Sequence, residues 1–232
     1  MNNNFEKISV ICALYIGTRP VQVDDIIDNK LYYFQKQLEY LEKYKNKIFK
    51  FYFVVTFENE NYSENYKHIL NEYNTDIINI SFKKNLGGSY TSWKTGLEID
   101  NGKSDLIFLI EDDYVIYDSN AIDTIISDYE SDADLFYYCA GWWNNHAAIS
   151  NGIINNKLYK ESGLTFRTTD LITRQSLFDN QITFLQPFSE KGYKIRDYRK
   201  LYSSIFSDGV DTMIEYGVPN GKVIFHPLTI TK

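Results

Sequence analysis

Three consecutive carboxylates, Glu111, Asp112 and Asp113, follow the apolar run Leu106-Ile107-Phe108-Leu109-Ile110. Side by side they repel one another, and burying them unpaired costs solvation. A divalent cation removes both difficulties, because carboxylate oxygens are natural ligands of Mg²⁺ and Mn²⁺. On the tripeptide alone, an acidic turn after a core strand is the simpler use of the same residues. Other groups capable of chemistry are scattered along the chain. They are the paired glycines Gly87-Gly88, the aromatic stretch Gly141-Trp142-Trp143-Asn144-Asn145-His146, the acids Asp208 and Asp211, and His226 near the end.

The elements that must position these groups follow from periodicity. Leu106 to Ile110 reads as a strand buried on both faces. Ile8 to Tyr15, Phe49 to Thr56, Ile77 to Phe82 and Asp134 to Cys139 read as further strands. Between them lie amphipathic stretches: Leu31, Phe34, Leu38 and Leu41 at helical spacing to about Lys45; Tyr66, Ile69, Leu70 and Tyr73 behind a Ser63 cap; Tyr90, Trp93 and Leu97 behind Ser89 or Thr91; and Ile122, Ile125, Ile126 and Tyr129 behind Ser119. Strands and helices alternate from residue 8 to 139, which predicts an α/β fold with a mostly parallel sheet flanked by helices. Such sheets bind ligands beyond the carboxyl ends of their strands. The turn Ile16-Gly17-Thr18-Arg19-Pro20, the glycine loop and the acid triplet all fall on that edge.

The second half is less regular. Gly141 to His146 reads as a loop whose groups can stack on or hydrogen-bond a sugar. Ile153 to Tyr159 and Leu164 to Thr168 read as short strands, Arg174 to Phe184 as a helix and Pro187 to Ser207 as mostly loop. Asp211 to Tyr216 reads as a short helix ending at Gly217, and Val223 to His226 as a last strand. No repeat or linker interrupts the chain, so one domain is expected over 1–232.

Composition narrows the partners. The chain has 232 residues, 44% of them hydrophobic, and a formal net charge of −7 without a basic block. It is long enough for a substantial core. Nucleic acid and anionic membranes are poor partners for it. Arg19, Arg167, Arg174, Arg196 and Arg199 are its only arginines and are candidates to meet phosphate. Cys12 and Cys139 fall within strands and read as small buried hydrophobes, not a disulfide framework or a zinc site. No stretch reaches the length of a membrane span, and the polar start is no signal peptide, so a cytoplasmic chain is expected.

The triplet Glu111-Asp112-Asp113 resembles the acid-x-acid ("DXD") metal motif of GT-A glycosyltransferases. Asn85, Gly88, Ser92 and Gly96 resemble, with one extra residue, the Asn-x-Gly-x-x-x-Ala-x-Asn-x-Gly run of glycosyltransferase family 2, Lys94 standing where the second Asn would be. That resemblance implies a Rossmann-like GT-A fold, with a nucleotide-sugar half over about 5–140 and a smaller, irregular acceptor-side half over 141–232. It also implies a nucleoside-diphosphate sugar as donor, Mn²⁺ or Mg²⁺ as cofactor and a glycan acceptor. Asp113 would bind the metal, Glu111 the metal or the ribose, and His226 would be a further ligand or a structural residue. Thr18, Arg19, Gly87, Gly88 and Asp112 would meet the donor, and Lys94 would either sit near its diphosphate or be solvated. The family ends its second strand with Asp-Asp near the base; here Thr56 and Glu58 occupy that region. The resemblance puts a catalytic base at Asp208 or Asp211, each also placed to cap a helix, and it implies inversion at the sugar carbon. Trp142, Trp143 and His146 would face the acceptor or donor sugar, one tryptophan belonging to the core.

Two other functions fit parts of the sequence. Gly17-Thr18-Arg19 resembles part of the glycine-rich signature of sugar nucleotidyltransferases, without its other glycines or its Pro-Lys segment. A non-catalytic carbohydrate-binding domain would share the fold but has no need of an intact acid triplet.

Overall fold

A computed structural model describes residues 5–17, 30–58, 63–112, 114–116, 120–143, 146–168, 183–197 and 225–227, with the backbone alone at 114–116, 120, 121, 139–143, 146–151, 197 and 225–227. The apolar runs form strands as their composition dictates: β1 (Ile8–Ile16), β2 (Lys50–Phe57), β3 (Ile78–Phe82) and β4 (Leu106–Glu111). Helices α1 (Tyr32–Tyr44), α2 (Ser63–Asn71) and α3 (Gly88–Asp100) connect them. Each connection is a crossover, so β1 pairs in parallel with β2 and β4, and β2 with β3. Their carboxyl ends therefore meet at one edge.

The remaining elements are β5 (Tyr114–Ile116), α4 (Asn120–Ser131), β6 (Leu135–Trp143), β7 (His146–Asn155), α5 (Asn156–Ser162), α6 (Gln186–Ser189), β8 (Lys194–Asp197) and β9 (Phe225–Pro227). The main sheet runs β3-β2-β1-β4-β7-β6-β8, and β5 pairs with β9 in a small second sheet. Strand β7 is antiparallel to both β4 and β6, while β8 is parallel to β6. The sheet is thus α/β and mostly parallel on one side, mixed on the other.

Alternation of side chains along β1 and β4 feeds two cores. Val10, Cys12, Leu14, Phe108 and Ile110 pack with Phe34, Leu41, Leu70, Ile122 and Tyr129 on one face. Ile11, Ala13, Ile107 and Leu109 pack with Tyr90, Trp93, Leu97, Phe166, Phe184 and Phe188 on the other. Leu106 through Ile110 are fully buried, as a strand covered on both faces requires.

Several expectations are corrected. Gly141-Trp142-Trp143 and His146 belong to a hairpin of β6 and β7, not a loop, with Trp142 opposite Ala147 and Trp143 opposite His146. The aromatic pair favours a pleated strand more strongly than the flanking Gly and Asn favour a turn. The strand expected to continue to Tyr159 stops at Asn155, whose side chain accepts from the Leu158 N–H at 3.2 Å and starts α5. Leu164 to Thr168 forms no regular element, and Pro187 to Ser207 contains part of α6 and all of β8. On α2 only Leu70 of the expected apolar stripe is fully buried, while Ile69 and Tyr73 are exposed. Helix α3 begins at Gly88, ahead of Ser89, because Gly87 turns the chain through a left-handed conformation (φ 73°) that a side chain would disfavour. Ser119 and most of the helices expected at 174–184 and 211–216 lie outside the described residues.

Candidate active site at the carboxyl edge of the sheet

The alternation along β4 divides the acid triplet. Residues 107 and 109 face α3, so Glu111 continues onto that side; 108 and 110 face α1, and Asp112 follows them. The Ser89 hydroxyl, in the first turn of α3, donates to Glu111 Oε1 at 2.7 Å. Asp112 is buried at 3% exposure. Its Oδ2 accepts from the Tyr15 backbone N–H at 2.8 Å, and its carbonyl accepts from Gln37 Nε2 of α1, also at 2.8 Å. Asp112 thus fastens the end of β4 to β1 and α1, and it holds Glu111 at the surface of the edge.

Above this edge lies a cleft of about 220 Å³. Ala13, Leu14 and Tyr15 of β1, Thr56 of β2, Asn85, Gly88, Ser89 and Ser92 around the start of α3, and Glu111 and Asp112 line it. No lysine or arginine is among these residues. The Thr56 hydroxyl donates to Leu14 O at 3.4 Å. No side chain caps α3 at Gly87, so the first turn presents backbone N–H groups and the positive end of the helix dipole at the cleft.

Helix α3 is held close to the sheet. A Cβ on Gly96 would lie 2.4 Å from Ile11 Cγ2, so only glycine permits this approach. Trp93, fully buried, donates from Nε1 to Ile110 O at 2.9 Å. These two contacts set the distance between Ser89 and Glu111.

The structure brings Thr56, Gly88, Glu111 and Asp112 together at the cleft, with Gly87 buried just behind them. Glu58 is exposed past the end of β2 and does not line the cleft; its N–H donates to Ile16 O at 3.0 Å. Lys94 lies about 200° round α3 from Ser92, and it too is absent from the lining. Arg167 donates to Gln186 Oε1 and Arg196 to Asp132 Oδ2, both away from the cleft. Thr18, Arg19, Asp113, Asp208 and Asp211 lie outside the described residues, as do the side chains of Trp142, Trp143, His146 and His226. The backbone of β9 nevertheless pairs His226 with Val115, and Pro227 with Tyr114, directly after the triplet. Among the described residues no cluster of three metal-binding side chains forms, and no helix is long and apolar enough to cross a membrane.

Sequence reading did not single out Tyr15, Gln37 or the bond between Ser89 and Glu111. Gln37 carried a signal: it is a polar residue three positions from Phe34 and four before Leu41, in the buried stripe of α1.

Comparison with protein-family models and with curated proteins gives no match. Solved structures do match. A mannosyltransferase from Pyrobaculum calidifontis, in complex with GDP-Man and Mn²⁺, superposes with a TM-score of 0.51 at 11% identity, over 82% of this chain and 54% of that one. This chain therefore spans about half the length of that enzyme. A putative nucleotide-diphospho-sugar transferase from Desulfovibrio desulfuricans superposes with a TM-score of 0.50 at 8% identity, over 82% of this chain and 78% of that one. A CMP:2-keto-3-deoxy-manno-octonic acid synthetase complexed with CTP matches more loosely, with a TM-score of 0.46 at 8% identity, over 82% of this chain and 88% of that one. With its helix-flanked, mostly parallel sheet and its cleft at the carboxyl edge, the chain has the GT-A-like fold shared by enzymes of nucleotide-sugar chemistry.

Proposed function

We propose that this chain is a metal-dependent glycosyltransferase that moves a sugar from a nucleoside diphosphate to a saccharide hydroxyl, with inversion. The observation that carries the reading is the cleft in which Glu111, at the end of β4, meets the first turn of α3. A nucleoside diphosphate fits such a place only with help. Backbone N–H groups at a helix start favour phosphate, but the carboxylates of Glu111 and Asp112 oppose it. A divalent cation reconciles the two. The fold match to an enzyme in complex with GDP-Man and Mn²⁺ supports that assignment.

Asp113 and Glu111, with His226 from the strand beside the triplet, make a carboxylate and imidazole set suited to Mn²⁺ or Mg²⁺. When bound, the ion supplies Lewis acidity that offsets charge on the departing diphosphate. Ser89 orients Glu111, and Asp112 holds the strand end without itself reaching outwards. Thr56 and Tyr15 border the nucleoside side, and Gly88 offers backbone close to the donor. Asp208 takes the proton of the acceptor hydroxyl as that oxygen attacks the sugar carbon; Asp211 is the second candidate. Trp142, Trp143 and His146, at the end of the β6–β7 hairpin, form the acceptor side of one domain.

A thermal-shift screen of UDP-, GDP- and dTDP-sugars, with and without Mn²⁺, tests the reading. One nucleotide should stabilise the protein only when the metal is present. At one hundred times its Kd the gain is about 2.7 kcal/mol, which moves the midpoint by roughly 5–11 °C. Asp113→Ala should lose that shift and turnover while its unliganded midpoint moves by less than about 2 °C. Turnover retained by Asp113→Ala rejects the metal assignment, and pyrophosphate release from a nucleoside triphosphate would reassign the chain as a nucleotidyltransferase.

A further inference from the structure

The segment from Lys84 to Gly87, which leads into α3, separates two clefts. Asn85 lines both the one already described and a second of about 400 Å³, bounded by Phe57 and Phe82, Ser63 and Lys67 of α2, and Lys83 and Lys84. With open space on each side and Leu86 44% exposed, apolar packing does little to set the shape of this loop. Polar bonds do so instead, and they converge on Lys83.

The Lys83 backbone N–H donates to Val55 O at 3.0 Å, which ties the residue to the last rung between β2 and β3. Its side chain then turns over the loop. The ammonium donates to Lys84 O at 2.8 Å, to Leu86 O at 3.1 Å and to Thr91 Oγ1 at 2.8 Å. These three acceptors match the three N–H donors of an ammonium group. The Thr91 hydroxyl, in the first turn of α3, passes the connection on by donating to Leu86 O. One charge anchored on the sheet therefore clamps both the loop and the start of the helix.

We propose that Lys83, acting through Thr91, is a positioning residue that shapes the loop from Asn85 to Gly88 for the nucleotide diphosphate. This rests on the glycosyltransferase reading. Lys83 touches the loop, not the donor, and what it preorganises is backbone that binds donor and transition state alike. Its loss therefore weakens donor binding and raises KM while leaving kcat little changed.

The test compares Lys83→Met and Lys83→Arg, and Thr91→Val and Thr91→Ser, with the wild-type protein. Titration calorimetry with UDP, GDP and dTDP in Mn²⁺ gives affinity, and hydrogen exchange of the unliganded protein gives loop order. Lys83→Met should bind the recognised nucleotide about tenfold more weakly, with Thr91→Val changed in the same direction. Lys83→Arg and Thr91→Ser should recover most of the affinity. Exchange should quicken at residues 84–88 of Lys83→Met while β1 and β4 keep their protection. A merely structural lysine would lower the melting temperature without this pattern. Nucleotide affinity of Lys83→Met within twofold of wild type overturns the proposal. Should the wild type bind none of the nucleotides, the glycosyltransferase reading fails, and unchanged exchange at 84–88 would then overturn the clamp by itself.

Discussion

Asp112 shows how one carboxylate in an acidic run is spent on architecture. Its side chain accepts the Tyr15 N–H, and its carbonyl holds Gln37 of α1. Removing the acceptor strands a partly buried backbone donor, so Asp112→Ala should destabilise the protein by about 1–3 kcal/mol. Asp112→Asn keeps an oxygen for Tyr15 and should lose less; urea denaturation of both variants measures the difference. The acid triplet itself was plain in the sequence, as was the fully buried strand before it. Which acid turns inward was not plain. That follows from the parity of β4 relative to α1 and α3, which pack on its opposite faces, and no local pattern records it. Gln37 was readable in principle, since a polar side chain in the apolar stripe of a helix calls for a buried partner.

At the scale of elements, α3 is the part on which the cleft depends. It carries Ser89 and Ser92, and Gly96 and Trp93 press it against β1 and β4. Gly96→Ala sets two effects against each other. Alanine improves helix propensity by about 1 kcal/mol, but its Cβ would stand 2.4 Å from Ile11 Cγ2. Overpacking of this kind costs about 1–3 kcal/mol. A net loss is therefore expected, together with weaker nucleotide binding as α3 tilts away from Glu111. Ile11→Ala in the same chain should restore part of the nucleotide binding, because it removes the Cγ2 that the new Cβ meets; a double-mutant cycle on denaturation midpoints measures that coupling. The helix was legible from Tyr90, Trp93 and Leu97. Its first residue was not, because Gly87 and Gly88 resemble an ordinary loop until their positive φ is known.

Across the molecule, the two edges of the sheet differ in kind. The carboxyl edge is open, while the amino edge is closed by a buried polar network. Asp100, fully buried, accepts from the Tyr52 hydroxyl at 3.0 Å and from Asn156 Nδ2 at 3.1 Å, and Ser104 bonds it through both N–H and hydroxyl. The core also holds many phenols. Burial raises the pKa of Tyr44, Tyr52, Tyr129 and Tyr159, with the Asp100 carboxylate adding to it at Tyr52. Burial likewise pushes Tyr138 from the ordinary 10.0 up to about 12. Each of these groups folds as the neutral phenol, so its contribution is complete below the unfolded pKa and is lost as pH rises through the folded one. Stability should therefore hold to about pH 9.5 and fall steeply between roughly pH 10 and 12, which denaturant titrations at pH 8, 9.5 and 11 will show. The parallel half of the sheet was legible because its helix crossovers are local in sequence. The mixed half was not, because β7 reaches its place between β4 and β6 by pairings that no short window of sequence contains.

That placement of β7 has a bearing on how the chain is made. Strand β4 is apolar from Leu106 to Ile110 and has β1 waiting on one side, but its other neighbour is β7, with Leu109 opposite Gly152. During synthesis that neighbour emerges about forty residues later, which at 5–20 residues per second is roughly 2–9 s. For those seconds the ribosome carries a half-built sheet with an apolar strand edge open to any other strand. A stall between residues 111 and 146 would prolong the exposure, and this interval is where a nascent chain of this protein most needs a chaperone.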